Sequence, residues 1–246
     1  MTVDVTRDAF LGGKIHLYQP VSGYRAGVDP VILAATVPAV AGQSVLDLGC
    51  GVGAAALCLG ARVPGLQLTG VEIQKEYAEL ARQNGGDGFE VVCADIAEMP
   101  LHVRDRLFDH VIANPPYYNR AASKPTKQLG RETALGESLP LADWIKIASR
   151  RVAPKGYLHL IHRAERLPEI ITGLMPRLGS IEVLPIAPRV DARAELVVVR
   201  ARKNRRDGFR LHAPLVLHEG VRHDVDGDSY RPRIRAALRE GGDLLF

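Results

Sequence analysis

The stretch with the most unusual chemistry is Asn-Pro-Pro-Tyr at residues 114–117, which follows an apolar run that predicts a buried strand. Two consecutive prolines donate no backbone N–H, so the strand must end there in a stiff turn. Asn114 precedes a proline and is therefore held extended. Asn114 Oδ1 and the Pro115 carbonyl can accept the two hydrogens of an –NH₂ group, and Tyr117 can stack on the flat group that carries it. The alternative is a rigid loop that merely ends a strand.

A glycine-rich turn lies upstream, where Asp47, Gly49, Gly51 and Gly53 stand between an apolar run and a stretch rich in alanine and leucine. This pattern predicts a buried strand, a tight turn and a helix. Glycines at alternate positions allow positive φ angles and a close approach of a ligand, and the helix N-terminus offers free N–H groups. The turn lacks the Gly-Lys-Ser/Thr of a phosphate-binding loop. A tight turn that binds nothing is the alternative.

Two acidic residues follow the next two predicted strands. Glu72 ends the apolar run at 66–71, where a carboxylate can accept both hydroxyl hydrogens of a ribose. Asp95 follows the run at 89–93, where it can accept the exocyclic amine of an adenine with Ile96 beside the ring. An N-cap on a short helix is an equally good interpretation of Asp95.

The order of these elements predicts an α/β fold. Strands alternate with helices as far as residue 117, which is typical of a doubly wound parallel sheet. We expect a Rossmann-like sheet of seven strands, mostly parallel with one antiparallel strand, because two late strands are joined without a helix. The glycine turn, both acids and the Asn-Pro-Pro-Tyr sequence would then lie at carboxyl ends of strands, where one crevice can collect them.

The chain is expected to comprise three segments. Residues 1–43 form an N-terminal extension or flap, residues 44–201 the α/β domain, and residues 202–246 a basic C-terminal extension packed on it. In the first segment, Asp29 is predicted to cap a helix over residues 31–37. This segment could lie over a ligand pocket or simply pack against the domain.

Positive charge is concentrated in two places, although the formal net charge of the 246 residues is only +4. One is the segment 118–138, and the other is the start of the C-terminal tail. The cationic residues are Arg120, Lys124, Lys127 and Arg131 in the first, and Arg200, Arg202, Lys203, Arg205, Arg206 and Arg210 in the second. Each cluster could be a solvated surface or could contact nucleic-acid phosphates.

The three cysteines, Cys50, Cys58 and Cys93, form no CxxC pair and predict neither a disulfide framework nor a zinc site. The histidines show no metal-ligand spacing, and no metal is expected. The polar, acidic N-terminus does not resemble a signal peptide, and no apolar run approaches the ~20 residues of a membrane span. We therefore expect a cytoplasmic protein that does not contact a membrane.

Taken as an ordered set, these motifs resemble those of class I S-adenosylmethionine-dependent methyltransferases that methylate amino groups. The finer resemblance is to the bacterial tRNA (adenine-N6)-methyltransferase family that acts on adenine 37 of a valine tRNA. It is carried by the entry segment Gln19–Asp29, by Tyr118, and by the tail residues Leu215, Val216, Leu217, His218, Tyr230 and Leu238.

The resemblance implies S-adenosylmethionine as the cofactor and an RNA, specifically a tRNA, as the substrate. It also implies a role for each motif residue. The methionyl part of the cofactor would lie over Gly49, Gly51 and Gly53, with Asp47 holding the loop. The ribose hydroxyls would bind to Glu72, and the adenine would be held by Asp95 and Ile96. The target base would be faced by Asn114, Pro115 and Tyr117.

Other functions stay open at this stage. The same chemistry could act on a protein glutamine, because release-factor methyltransferases share Asn-Pro-Pro-Tyr, although they usually carry a longer helical N-terminal domain than residues 1–43 offer. It could also act on an rRNA or DNA base, although a DNA enzyme would be expected to show a large recognition insert. A non-catalytic nucleic-acid-binding module of the same fold is the alternative from another class, but it would need none of the site residues.

Overall fold

The computed structural model describes residues 4–117, 139–220 and 229–246. The cationic segment 118–138, with Tyr118, lies outside the described residues. The helices are α1 (Val28–Thr36), α2 (Ala54–Arg62), α3 (Lys75–Gly85), α4 (Leu101–Arg104), α5 (Leu141–Arg151), α6 (Leu167–Leu174) and α7 (Pro232–Glu240). The strands are β1 (Val5–Phe10), β2 (Ile15–Pro20), β3 (Ser44–Leu48), β4 (Gln67–Glu72), β5 (Phe89–Cys93), β6 (Phe108–Ala113), β7 (Val152–Arg163), β8 (Gly179–Ala187), β9 (Leu196–Arg202), β10 (Arg210–Leu211) and β11 (Leu215–Val216).

The main sheet has the strand order β10-β8-β9-β7-β6-β3-β4-β5, and β11 also pairs with β8. Strand β9 runs antiparallel to both of its neighbours, while the other pairs in this sheet are parallel. The seven longer strands are the expected Rossmann-like sheet with one antiparallel strand, so this prediction is confirmed. The two-residue strands β10 and β11 widen its β8 edge.

The sheet reverses its winding between β3 and β6. The chain moves outward from β3 to β4 and β5, and then returns to add β6 on the other side of β3. Leu48 at the end of β3 pairs with Ala113 at the end of β6. The glycine turn and Asn114 therefore leave the sheet side by side, on strands about 4.8 Å apart. Ligands of open α/β sheets bind at such a reversal.

Helices cover both faces of the sheet, which explains why its strands are continuously apolar. In β6, Val111 and Ile112 are both fully buried and pack into different core clusters, because successive side chains point to opposite faces. One cluster contains residues of α1, α2, α3 and α7, and the other contains residues of α4, α5 and α6. In the described parts of the chain, every helix is too short or too polar to span a bilayer.

An N-terminal hairpin, which the sequence did not predict, precedes the domain. Strands β1 and β2 form a separate antiparallel pair. Leu17 of β2 is buried in a cluster with residues of the glycine turn and of α3. The Asn84 side chain bonds both the N–H and the carbonyl of Tyr18 and the carbonyl of Val52, at 2.7 to 3.1 Å. These bonds fasten the hairpin beside the glycine turn.

Helix α1 begins at Val28, with Gly27 as an N-cap that makes no side-chain bond. The prediction that Asp29 caps this helix was therefore wrong. Asp29 lies inside the first turn, and its carboxylate binds a hydroxyl far away in the sequence instead of the local backbone. A tertiary partner has outweighed the local capping preference.

Candidate active site

The glycine turn is packed on one side and open on the other. Gly49, Gly51 and Gly53 have φ angles of 66°, 55° and 87°, which favour glycine. A Cβ on Gly49 would lie 2.6 Å from Cη2 of the buried Trp144, whereas a Cβ on Gly51 would meet its nearest neighbour, Cε1 of Tyr24, only at 3.9 Å. The turn therefore offers bare backbone beside Gly51 against which a ligand can lie.

Asp47 holds the turn from inside. Its side chain is 2% exposed, and Oδ2 accepts the N–H of Ala56 in the first turn of α2 at 3.2 Å. Burial raises the pKa of Asp47 to about 7, the Ala56 N–H lowers it, and the nearby Glu72 carboxylate raises it further. Asp47 thus ties strand β3 to helix α2, and its role in cofactor binding stays a prediction.

Replacing Asp47 with Asn is expected to change how stability depends on pH. Between pH values near 4 and 7 the folded protein keeps a proton on Asp47 that the unfolded chain has lost, so the free energy of unfolding falls as pH rises through this window. Asp47→Asn lacks this titration but keeps an acceptor for Ala56. Relative to the parent, it should gain about 2 kcal/mol between about pH 5 and pH 8.

Urea unfolding of both proteins at the two pH values measures this gain, and an exposed Asp87→Asn variant serves as the control. A stability difference between Asp47→Asn and the parent that is the same at both pH values would contradict the buried-acid assignment.

Glu72 lies at the end of β4, directly beside the turn. It is 5% exposed; Oε2 accepts the N–H of Gly51 at 2.9 Å, and Oε1 accepts the N–H of Gln74 at 2.8 Å. Burial raises the pKa of Glu72, and these backbone donors lower it. Each carboxylate oxygen keeps a further lone pair, so both can accept hydroxyl hydrogens. The open backbone at Gly51 and this acceptor pair therefore fit the ribose and the adjoining chain of S-adenosylmethionine.

Asp95 and Ile96 follow strand β5, and their contacts in the structure are local ones. Asp95 Oδ1 accepts the N–H of Ala97 at 2.8 Å and caps a short 3₁₀ helix, so the capping interpretation is confirmed. Ile96 is 6% exposed and packs into the core. Ile73, which follows Glu72, is 56% exposed and offers apolar surface at the same edge. The signal that could have identified Ile73 is an apolar residue directly after a strand-end acid. The adenine contacts of Asp95 and Ile96 stay predictions.

Asn114 is linked to the glycine turn through Tyr24. Its Nδ2 lies 3.5 Å from the Tyr24 hydroxyl, at the outer limit of a hydrogen bond, and the Tyr24 ring passes Gly51. Tyr24 is 45% exposed, and its carbonyl accepts the Tyr77 hydroxyl at 3.0 Å. Burial and the carboxylate of Asp29 raise the pKa of Tyr24 to about 12, so its hydroxyl is neutral at pH 7. Tyr24 therefore lies between the turn and Asn114.

Tyr117 is anchored through its hydroxyl, which donates to Asp29 Oδ2 at 2.7 Å. Burial and this carboxylate raise the pKa of Tyr117. Its ring contacts the His162 ring at a centroid distance of 5.1 Å, and the Arg163 guanidinium lies over it at 5.7 Å. Pro115, whose carbonyl was predicted to accept a target amine, is buried at the start of the turn. The sequence did not assign Tyr24 or Asp29 to the site, although their segment was one expected cover for it.

The cationic run at the start of the tail lies at the end of the sheet where the parallel strands begin, opposite to the end that carries Asn114. Arg202 at the end of β9 pairs with Tyr157, and Lys203 Nζ donates to the Val152 carbonyl at 2.8 Å, near the beginning of β7. Asn114 lies beyond the other end of the sheet, roughly 20 Å away for strands of six residues. This run therefore does not line the crevice, whereas Arg163 lies at its rim.

Comparisons with known proteins identify relatives of this chain. The methyltransferase small domain model matches residues 26–133. The tRNA1(Val) (adenine(37)-N6)-methyltransferase of Porphyromonas gingivalis W83 is 31% identical over 176 residues, which cover 66% of this chain and 68% of the relative.

Two solved structures share the fold. That of a predicted O-methyltransferase, Atu636 from Agrobacterium tumefaciens, superposes with a TM-score of 0.72 at 28% identity and covers 89% of this chain and 99% of that one. The Thermus thermophilus 16S rRNA N2 G1207 methyltransferase, in complex with AdoMet and guanosine, superposes with a TM-score of 0.57 at 18% identity over 83% of this chain and 52% of that one.

The fold, the glycine turn and the matched domain define a class I S-adenosylmethionine-dependent methyltransferase, and the predicted cofactor is confirmed. Within this class, the chain belongs to the family of tRNA1(Val) (adenine(37)-N6)-methyltransferases.

Proposed function

We propose that this protein transfers a methyl group to N6 of an adenine in tRNA, with adenine 37 of a valine tRNA as the target. The observation that carries this proposal is that Asn114 and the glycine turn leave neighbouring strands at the reversal of the sheet, and that Tyr24 lies beside both of them. The amide that can hold an amine and the backbone that can hold the cofactor therefore lie at the same end of the sheet, with the Tyr24 side chain between them. The family of the chain supports adenine in tRNA as the acceptor.

The side chains supply position more than reactivity. S-adenosylmethionine, when bound, supplies a methyl group that is already activated by its sulfonium. The exocyclic amine of adenine is a weak nucleophile because its lone pair is delocalised into the ring. Since Asn114 Nδ2 is directed at Tyr24, Oδ1 is the atom left to accept an amine hydrogen, and the Pro115 carbonyl can accept the second. Holding both hydrogens frees the lone pair and fixes its direction, which is where most of the rate is gained.

The target base must leave its stack to reach Asn114. Extrusion of a base costs a few kcal/mol, which a new stacking partner can offset. The Tyr117 ring is two residues beyond Pro115 and is the aromatic surface next to Asn114 in the chain. We assign it to the face of the extruded adenine. Because tRNA is found in the cytoplasm, we also place the reaction there.

Transfer to oxygen is the second candidate, because the Agrobacterium relative is described as a predicted O-methyltransferase. A hydroxyl must lose its proton to become a good nucleophile, and this requires a base. The Asn114 amide cannot take up a proton at neutral pH, whereas an amine can attack first and lose its proton afterwards. The geometry around Asn114 therefore favours nitrogen.

The experiment that tests the function is transfer of tritiated methyl from S-adenosylmethionine to separate pools of tRNA, rRNA, DNA and protein, followed by nucleoside or amino-acid analysis of the labelled product. We expect label in tRNA as N6-methyladenosine, and loss of label from a valine tRNA transcript whose adenine 37 is replaced by guanine. Label in methylglutamine, in a methylated guanine or in a 2′-O-methyl nucleoside would refute the proposal and identify the alternative.

A further inference from the structure

A contact between the N-terminal segment and the Asn-Pro-Pro-Tyr turn has no part in the chemistry above. The Tyr117 hydroxyl donates to Asp29 Oδ2 at 2.7 Å, and the two residues are 88 positions apart. Asp29 lies in the first turn of α1, where the following residues, such as Ile32 at 0% exposure, are buried in the core. The carboxylate is therefore presented by a firmly packed helix and not by a loop.

The Tyr117 ring is also contacted by a different element. The contacts come from His162 and Arg163, the last two residues of β7. The His162 ring centroid lies 5.1 Å from the Tyr117 ring centroid, and Cζ of Arg163 lies 5.7 Å from it. Burial lowers the pKa of His162 to about 4, and its Nδ1 accepts the N–H of Arg163 at 2.8 Å, so the imidazole is neutral at pH 7. Helix α1 thus holds the hydroxyl of Tyr117, and strand β7 contacts its ring.

We propose that Asp29 is a positioning residue that holds the Tyr117 ring in the orientation in which the extruded adenine stacks on it. This inference rests on the proposed function and deepens it. A side chain that is ordered before the substrate arrives does not lose conformational freedom on binding, so the stacking energy is fully available to hold the base. Two consecutive prolines fix the backbone end of Tyr117, and Asp29 fixes its hydroxyl end.

The competing explanation is that the bond only fastens the N-terminal segment to the sheet. In that case, loss of Asp29 would lower stability, and activity would fall only as far as the folded fraction falls. A positioning role predicts instead that fully folded variants lose activity toward tRNA while their affinity for S-adenosylmethionine is unchanged.

A double-mutant cycle with Asp29→Ala and Tyr117→Phe separates these explanations. We expect each single variant to lower kcat/KM for tRNA about tenfold, and the double variant also to lose only about tenfold, because both changes remove the same bond. Asp29→Asn keeps an acceptor oxygen and should recover most of the activity. Tyr157→Phe removes a hydroxyl from a ring that stacks on His110, away from the site, and should match the parent.

The cycle is measured at a temperature at which melting curves show every variant folded, with the parent assayed on tRNA alongside. A double variant that loses about a hundredfold, the product of the single losses, would overturn the role of Asp29 and leave the proposed function standing. Asp29→Asn as inactive as Asp29→Ala would also overturn it. A parent that transfers no methyl group to tRNA would refute the proposed function, and with it the role of Asp29.

Discussion

Asn114→Ala is expected to lower kcat for methyl transfer by about 10²–10³, while the Kd for S-adenosylmethionine changes by less than about threefold. The variant loses the acceptor that directs the amine but leaves the glycine turn and Glu72 unchanged. Little packing is lost, because Asn114 is only half-buried. Single-turnover kinetics with tRNA measure the first quantity, and calorimetric titration with S-adenosylmethionine measures the second.

The matched control for Asn114→Ala is Asn204→Ala, which removes an exposed amide at the opposite edge of the sheet. It should leave both quantities at the parent values. Equal losses of turnover and cofactor affinity in Asn114→Ala would mean that Asn114 supports the cofactor or the fold, and that the acceptor role is wrong.

Glu72→Gln should show the opposite pattern, with a Kd for S-adenosylmethionine raised on the order of 100-fold, because hydrogen bonds to a charged acceptor contribute about 1.5–3 kcal/mol each. Both carboxylate oxygens already accept backbone N–H groups, from Gly51 and Gln74. The amide NH₂ of Gln must face one of these donors, and it can no longer accept a ribose hydroxyl on that side. Turnover at saturating cofactor should fall much less.

Glu79→Gln on the exposed side of α3 makes the same change in charge outside the site and should bind the cofactor as the parent does. Thermal melting without cofactor shows whether Glu72→Gln is folded. A folded Glu72→Gln variant with parental cofactor affinity would show that Glu72 only braces the turn.

The part of the site that lies on the parallel strands could be predicted from the sequence, because chain order fixes it. Once strands and helices alternate, whatever follows a strand must lie at its carboxyl edge. Gly49, Glu72 and Asn114 are found there. The same reasoning applies to the cationic run. Strand β9 was expected to be antiparallel, which already implies that Arg202 at its end lies where the parallel strands begin, away from Asn114.

The contacts made by the N-terminal segment could not be predicted, because they join residues about 90 positions apart. Tyr24 meets Asn114 and Asp29 meets Tyr117 across separations of 90 and 88 residues. The capping preference of aspartate predicted that Asp29 caps a helix. In the structure its carboxylate instead accepts the hydroxyl of Tyr117. Periodicity likewise did not distinguish the buried Ile96 from the exposed Ile73.

A crystal structure of the protein with bound S-adenosylhomocysteine decides whether the glycine turn and Asn114 form one site. We expect ribose hydroxyls on Glu72 and the sulfur within about 7 Å of Asn114 Oδ1, the span of a reacting amine and its hydrogen bond. Asn114 turned away from the sulfur, or the nucleoside bound away from Gly51, would contradict this expectation.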